Sequence, residues 1–261
     1  MPDLIAPGDV WLVGAGPGDP ELLTLKAVRL IEAASIVFHD ALVGPAILDL
    51  IPAHVVRVPV GKRAGRHSQS QTMIDALLVR AALNGERVVR LKGGDPSIFG
   101  RSAEEIDALA AHGIPCRICP GITTASAAAA SALVSLTLRG VARQVRFLTA
   151  QSCDDDISSP DWAALADPAT TLAVYMGRSA AARIARNLIA HGLSAATPVL
   201  VASNVSLPDE KLVRTRLDLL PLAIDRTPGA APALILIGDA VGVRDTGAMN
   251  PARARPSHVT G

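Results

Sequence analysis

Aromatic side chains are scarce. Trp11, Phe38, Phe99, Phe147, Trp162 and Tyr175 are the whole stock in 261 residues. Proteins that hold single-stranded nucleic acid stack bases on aromatic rings, so this composition points away from a nucleic-acid partner. An excess of one charge sign is missing too. The formal net charge is +1, and any attraction for an acidic partner must come from a local cluster. No apolar run approaches the roughly 20 residues of a membrane span, and no membrane association is expected. The first ten residues, MPDLIAPGDV, lack a basic region and an apolar region, so no signal peptide is expected. Three cysteines, an odd number, fit a reducing compartment and a cytoplasmic location. Six histidines are scattered without an H-E-x-x-H spacing, and no metal is expected.

Aliphatic residues are what the chain has in quantity. Hydrophobic residues make up 49% against 19% charged, the composition of a globular protein that buries a core. Cys116 and Cys119 form CRIC, superficially a redox or metal pair. The segment IPCRICP reads as a strand, where residues three apart point to opposite faces. The two thiols are therefore expected to be small core residues.

The first half alternates strand and helix. DVWLVGAG is an apolar run ending in glycines. Asp19 and Pro20 offer an N-cap and first-turn proline for a helix over PELLTLKAVRLIEAA. SIVFHD and HVVRVPV read as strands, and QTMIDALLVRAALNG as a helix closed by Gly85. RVVRL leads into Gly93-Gly94-Asp95-Pro96, after which Ser102 and Glu105 have the spacing of a capping box. A second series starts near Val145, with VRFLTAQ, TTLAVYMG, a helix over SAAARIARNLIAHG, TPVLVAS and APALILIGDAV. Strands separated by helices imply mostly parallel sheets. The expected architecture is α/β with two domains, residues 8–121 and 122–243, and an active site in the cleft between them. Residues 244–261 lack an apolar period and read as a disordered tail.

Three glycine or basic loops are candidates for ligand binding. VGAGPGD, residues 13–19, departs from G-x-G-x-x-G because Asp19 follows Gly14, Gly16 and Gly18. From the residues alone, a dinucleotide, S-adenosylmethionine or another ligand needing a glycine floor all remain open. Gly61-Lys62-Arg63 is no phosphate loop of the G-x-x-x-x-G-K-S/T kind. GKRAGRH gathers Lys62, Arg63, Arg66 and His67 after a strand end, which suits a substrate with several carboxylates or phosphates. The third loop, LKGGDP, exposes backbone at two adjacent glycines, yet Asp95 would repel a phosphate.

Taken together, VWLVGAGPGDPELLTLKAVRLIEAASIVFHDALV, VGKRAGRHS, VVRLKGGDPSIFGR, PGITTASAAAA, VYMG and PALILIGDAV resemble the tetrapyrrole methylase family, over about residues 8–242. The resemblance implies a class III methyltransferase fold and a homodimer. It also implies S-adenosylmethionine as methyl donor, S-adenosylhomocysteine as product and a reduced, carboxylate-rich tetrapyrrole as acceptor. By matching motif, donor contacts are expected at Pro17, Gly93, Gly94, Asp95, Ile98, Thr123, Thr124, Met176 and Val205. Asp40 and Lys62 match the family's proton acceptor and proton donor. Gly16, Arg63, Arg66, His67 and Arg139 are expected on the tetrapyrrole side. A sulfonium bearing a ribose suits Asp95 and bare backbone better than pyrophosphate does.

His39, Thr124, Leu138, Gln151 and Val205 depart from the family pattern. The rivals are a sister methylase acting at another ring carbon, an RNA ribose methylase, a non-catalytic tetrapyrrole binder and a nicotinamide-linked dehydrogenase. GKRAGRHS, the shortage of aromatics, the retention of Asp40 with Lys62, and Asp19 count against them in turn.

Overall fold

A computed structural model describes residues 4–61, 70–150, 160–227 and 232–242. The first apolar runs form a sheet: β1 (Val10–Gly14), β2 (Ile36–His39), β3 (Val56–Pro59), β4 (Val88–Lys92) and β5 (Cys116–Cys119). Their order is β3-β2-β4-β1-β5 and every pairing is parallel. All five strands therefore end on one edge, where α/β sheets bind ligands.

Side-chain alternation along β1 divides the core. Trp11 and Val13 join the layer under α1 (Leu25–Ala33) and α2 (Pro45–Leu48). Val10 and Leu12 join the layer under α3 (Gln71–Leu83) and α4 (Ser102–Ala110). Cys119 belongs to the first layer and Cys116 packs against the second, so the two thiols lie on opposite faces and are free.

The second sheet contains β6 (Gln144–Thr149), β7 (Thr170–Tyr175), β8 (Pro198–Ser203), β9 (Lys211–Arg216) and β10 (Ala233–Ile237) in the order β6-β7-β10-β8-β9. Only β6 and β7 pair in parallel; β10 runs antiparallel to both neighbours, and β9 antiparallel to β8. This half departs from the parallel expectation; for β8 and β9 the reason is that only residues 204–210, a hairpin-length link, join them. One face is covered by α6 (Trp162–Leu165), α7 (Ala181–Ala190) and α8 (Leu220–Asp225), the other by α5 (Thr124–Ser131). In α7, Ile184, Ala185 and Leu188 face the sheet; fully burying a leucine stabilises by about 1.5–3 kcal/mol. Ala125, Ala127 and Ala128 of α5 pack without long side chains.

Two helix starts differ from the expected ones. Asp19 does cap, accepting from Glu21 N at 2.9 Å, but only a short turn at Pro20–Leu22 follows. Thr24 then provides a second cap, accepting from Ala27 N at 3.1 Å, and α1 begins at Leu25. At α4, Ser102 is inside the helix and Arg101 is the left-handed cap residue (φ 55°). Glu105 turns inward instead of back to the cap. Among the described residues no helix is long and apolar enough to cross a membrane. The tail expected over residues 244–261 lies outside the described residues.

Candidate functional site

The strand ends of the first sheet meet through glycines. A Cβ on Gly121 would lie 2.3 Å from Gly94 O and 2.8 Å from Gly14 Cα, so three backbone segments touch where no side chain fits. Gly94 N donates to Gly16 O at 2.7 Å and Gly16 N to Gly94 O at 3.1 Å, pairing the two glycine loops. Gly16 and Gly94 both have φ 68°, the left-handed region glycine enters without a Cβ clash.

Asp95 fastens this junction. It is 8% exposed; one oxygen accepts from Ser97 N at 2.8 Å and from Ser97 Oγ, the other from Gly121 N at 2.9 Å. Its carboxylate is expected to meet a ligand from the sequence, yet its hydrogen bonds go to its own loop and to the Pro120-Gly121 turn.

A cavity of ≈ 440 Å³ opens beside this junction. Pro17, Gly93, Gly94, Asp95, Ile98, Thr123, Thr124, Met176 and Val205 all line it, so every residue expected to contact the methyl donor falls in one space. Gly16 lines it too, instead of the chamber that holds Asp40. Phe99 (φ 52°), Met176 (φ 53°) and Asn204 (φ 48°) also line it in left-handed conformations. Such backbone costs about 1–3 kcal/mol per residue and collects at ligand sites.

Tyr175 forms the wall facing the second sheet. Its hydroxyl bonds with Thr123 Oγ1 at 2.5 Å and accepts from Ala125 N at 3.2 Å. Phe99 packs on its ring at 5.1 Å between centroids and Phe147 meets it edge-on at 6.0 Å. Burial raises the Tyr175 hydroxyl above its ordinary pKa, so it stays protonated at neutral pH.

A second chamber, ≈ 560 Å³, shares Leu42, Gly93, Ile98 and Phe99 with the first. It is lined also by Asp40, Arg90 and Lys92, and by Gly61 and Ser70, which flank residues 62–69. Asp40 sits just past the end of β2, with its side chain 30% exposed. Arg90 Nη2 donates to Asp40 Oδ1, Arg90 Nε to Glu105 Oε1 at 2.9 Å, and Lys92 Nζ to Glu105 Oε2 at 2.6 Å. Arg90 and Lys92 are each 3% exposed and Glu105 0%. Two cations and two carboxylates thus form a neutral buried chain, the pairing that burial of charge requires. Burial, with the charge of Arg90 added, pushes the Lys92 ammonium below the usual lysine range.

This chain is what the capping-box reading missed. Its signal was Arg90 and Lys92, two cations at alternate positions of an otherwise apolar central strand, VVRLK, whose five residues are all buried. Tyr175 and Phe99 were missed as well, because aromatic content was weighed for stacking on bases and not for walls. Arg139 is exposed and lines neither chamber. Lys62, Arg63, Arg66, His67 and Gln151 lie outside the described residues. Among the described residues no group of three or more His, Cys, Asp or Glu is placed to hold a metal ion.

A parallel α/β sheet whose glycine-bearing strand ends adjoin a cavity, with a second sheet closing the far wall, defines the class. The chain belongs to the Tetrapyrrole (Corrin/Porphyrin) Methylases, which it matches over residues 9–221. Within that family it is similar to the uroporphyrinogen-III C-methyltransferase of Paracoccus denitrificans, 49% identical over 95% of this chain and 87% of that protein. It is 48% identical to the siroheme synthase of Azotobacter vinelandii over 91% of this chain and 51% of that protein. The chain thus spans about half the length of the siroheme synthases it matches. The uroporphyrin-III C-methyltransferase of Thermus thermophilus, solved in complex with S-adenyl homocysteine, superposes with a TM-score of 0.75 at 37% identity. That match covers 89% of this chain and 93% of the Thermus one.

Proposed function

We propose that the protein transfers methyl groups from S-adenosylmethionine to C2 and then C7 of uroporphyrinogen III, giving precorrin-2 by way of precorrin-1. Such a product serves sirohaem or cobalamin synthesis. The observation that carries this reading is the pairing of the two chambers. All nine expected donor contacts line one, Asp40 lines the other, and only Leu42, Gly93, Ile98 and Phe99 are common to both.

The first chamber fits an adenosyl sulfonium. Its volume lies in the usual range for a small-molecule site, about 300–1,000 Å³. Gly93 and Gly94 offer bare backbone, Thr123 and Thr124 hydroxyls, and Ile98, Met176 and Val205 apolar walls. When bound, the sulfonium supplies an electrophilic methyl group. Leu42 and Phe99 set the approach of the acceptor, and such positioning accounts for much of the rate when the ring carbon is already nucleophilic. Asp40 takes the proton the macrocycle loses after methylation, and Lys62 serves as proton donor.

Eight substrate carboxylates need net positive surroundings, but Arg90 and Lys92 are already matched by Glu105 and Asp40. The source of positive charge in this reading is the sequence Lys62, Arg63, Arg66 and His67, which follows Gly61 along the chain. This reading includes two domains, 8–121 and 122–243, a cytoplasmic location and a homodimer. Incubation with S-adenosylmethionine and uroporphyrinogen III, followed by mass analysis, is expected to give two added methyl groups. An unmodified macrocycle under conditions where S-adenosylhomocysteine binds would refute the substrate, and light scattering tests the dimer.

A further inference from the structure

Glu105 touches neither chamber, yet it holds the two cations that do. Its carboxylate is wholly buried and takes Arg90 Nε on one oxygen and Lys92 Nζ on the other. Arg90 spends its remaining directions on Asp40 Oδ1 and, from Nη1, on the carbonyl of Leu91 at 3.2 Å. The guanidinium is thereby fixed at three points. The Asp40 carboxylate, by contrast, has no donor but Arg90 among the described residues. What orients Asp40 is Arg90, and what orients Arg90 is Glu105.

We propose that Glu105 is a positioning residue, which braces Arg90 and Lys92 side by side on β4 and so fixes the carboxylate of Asp40 toward the acceptor chamber. The inference rests on the reading of Asp40 as proton acceptor. Glu105 reaches Arg90 and Lys92 from α4, which covers the face of β4 they point to, while its neighbour Glu104 pairs with the cap residue Arg101 at the surface. Asp75 on α3 and Cys116 on β5 feel the Glu105 charge but make no bond with it. Pairing two buried cations aligns Glu105 with them but requires no fixed direction of the Asp40 carboxylate. Holding a base on a reacting carbon does, because a displacement of about 1 Å can lower the rate about 100-fold.

The test compares Glu105→Ala, Glu105→Gln and the double variant Glu105→Leu/Lys92→Met. The double variant removes one charge of each sign, so it keeps the interior neutral while leaving Arg90 unbraced. Glu105→Ala and the double variant are expected to lose about 100-fold in kcat, with KM for uroporphyrinogen III and calorimetric affinity for S-adenosylhomocysteine within about threefold of the parent. Glu105→Gln keeps an acceptor for Arg90, and Lys92 can meet its amide in the neutral form; it is expected to regain most of kcat. Should Glu105→Ala not fold, the double variant carries the test. A folded double variant with the parent kcat, or Glu105→Gln no better than Glu105→Ala, overturns the proposal. Asp40→Asn separates the two claims. Full turnover in that variant removes Asp40 as base, whereas an inactive Asp40→Asn beside fully active Glu105 variants removes only the brace.

Discussion

Replacing Asp95 with Asn tests whether this carboxylate serves the fold or the ligand. Both oxygens are acceptors at present, one for two Ser97 donors and the other for Gly121 N. The amide of Asn must put an NH2 group at one of these positions. At the second it opposes the Gly121 N–H, and at the first it opposes the Ser97 N–H. Either way a buried donor loses its partner. A hydrogen bond to a charged group contributes about 1.5–3 kcal/mol, and a buried unsatisfied donor costs about 1–3 kcal/mol. Allowing for overlap between the two, a loss of about 3 kcal/mol is expected. For a chain of this size that corresponds to a fall in Tm of about 6–12 °C. Circular dichroism reads the melting, and calorimetry with S-adenosylhomocysteine reads the site. The fold-based account expects the stability loss together with a moderate drop in affinity, since Gly94 shifts with the loop. An unchanged Tm alongside abolished binding would refute it, and would return Asp95 to direct ligand contact.

Gly121→Ala is expected to destabilise more severely, because its Cβ would press on two backbone segments with no flexible end to move; denaturant unfolding measures this. Tyr175→Phe keeps the ring but leaves Ala125 N without its acceptor. A loss of about 1–3 kcal/mol and severalfold weaker S-adenosylhomocysteine binding are expected, by melting and calorimetry. Cys116, pushed up to about 11 by burial, keeps its proton in the folded state. Its unfolded form ionises from 9.0 upward, so this group's contribution to stability is lost as pH rises from 9.0 through about 11. Site-resolved alkylation at pH near 9 is expected to be slow at Cys116 until denaturant is added. Lys92 has the opposite sign. Between its lowered pKa and 10.5 the unfolded chain binds more protons, so this lysine makes stability rise with pH, a rise absent from the Tm profile of Lys92→Met.

The first half of the fold was legible because its inner parallel strands, β1, β2 and β4, are buried on both faces and read as largely apolar runs ended by glycine or aspartate. The second half was less so. β9, KLVRTR, is an edge strand with exposed alternate residues, and its charged alternation gave no run to detect. The lining of the ≈ 440 Å³ cavity was legible through backbone demands: glycines where segments touch, and small hydroxyls at the turn into α5. The ≈ 560 Å³ chamber was half legible. Asp40 ends its strand and could be read there, while Glu105 was read for its distance from Ser102. Spacing along a helix is local, and the burial that overrides a cap depends on what a distant strand places opposite.

The solitary tyrosine makes the protein its own instrument. Because Tyr175 is the only residue of its type and its ring lies between Phe99 and Phe147 at the cavity wall, isotope or fluorine labelling of tyrosine yields a single resonance from the site itself. Trp11 and Trp162 line neither chamber, so their emission reports on the scaffold. One sample can therefore separate the arrival of a small molecule from the loosening of the fold, without a substitution in the sequence.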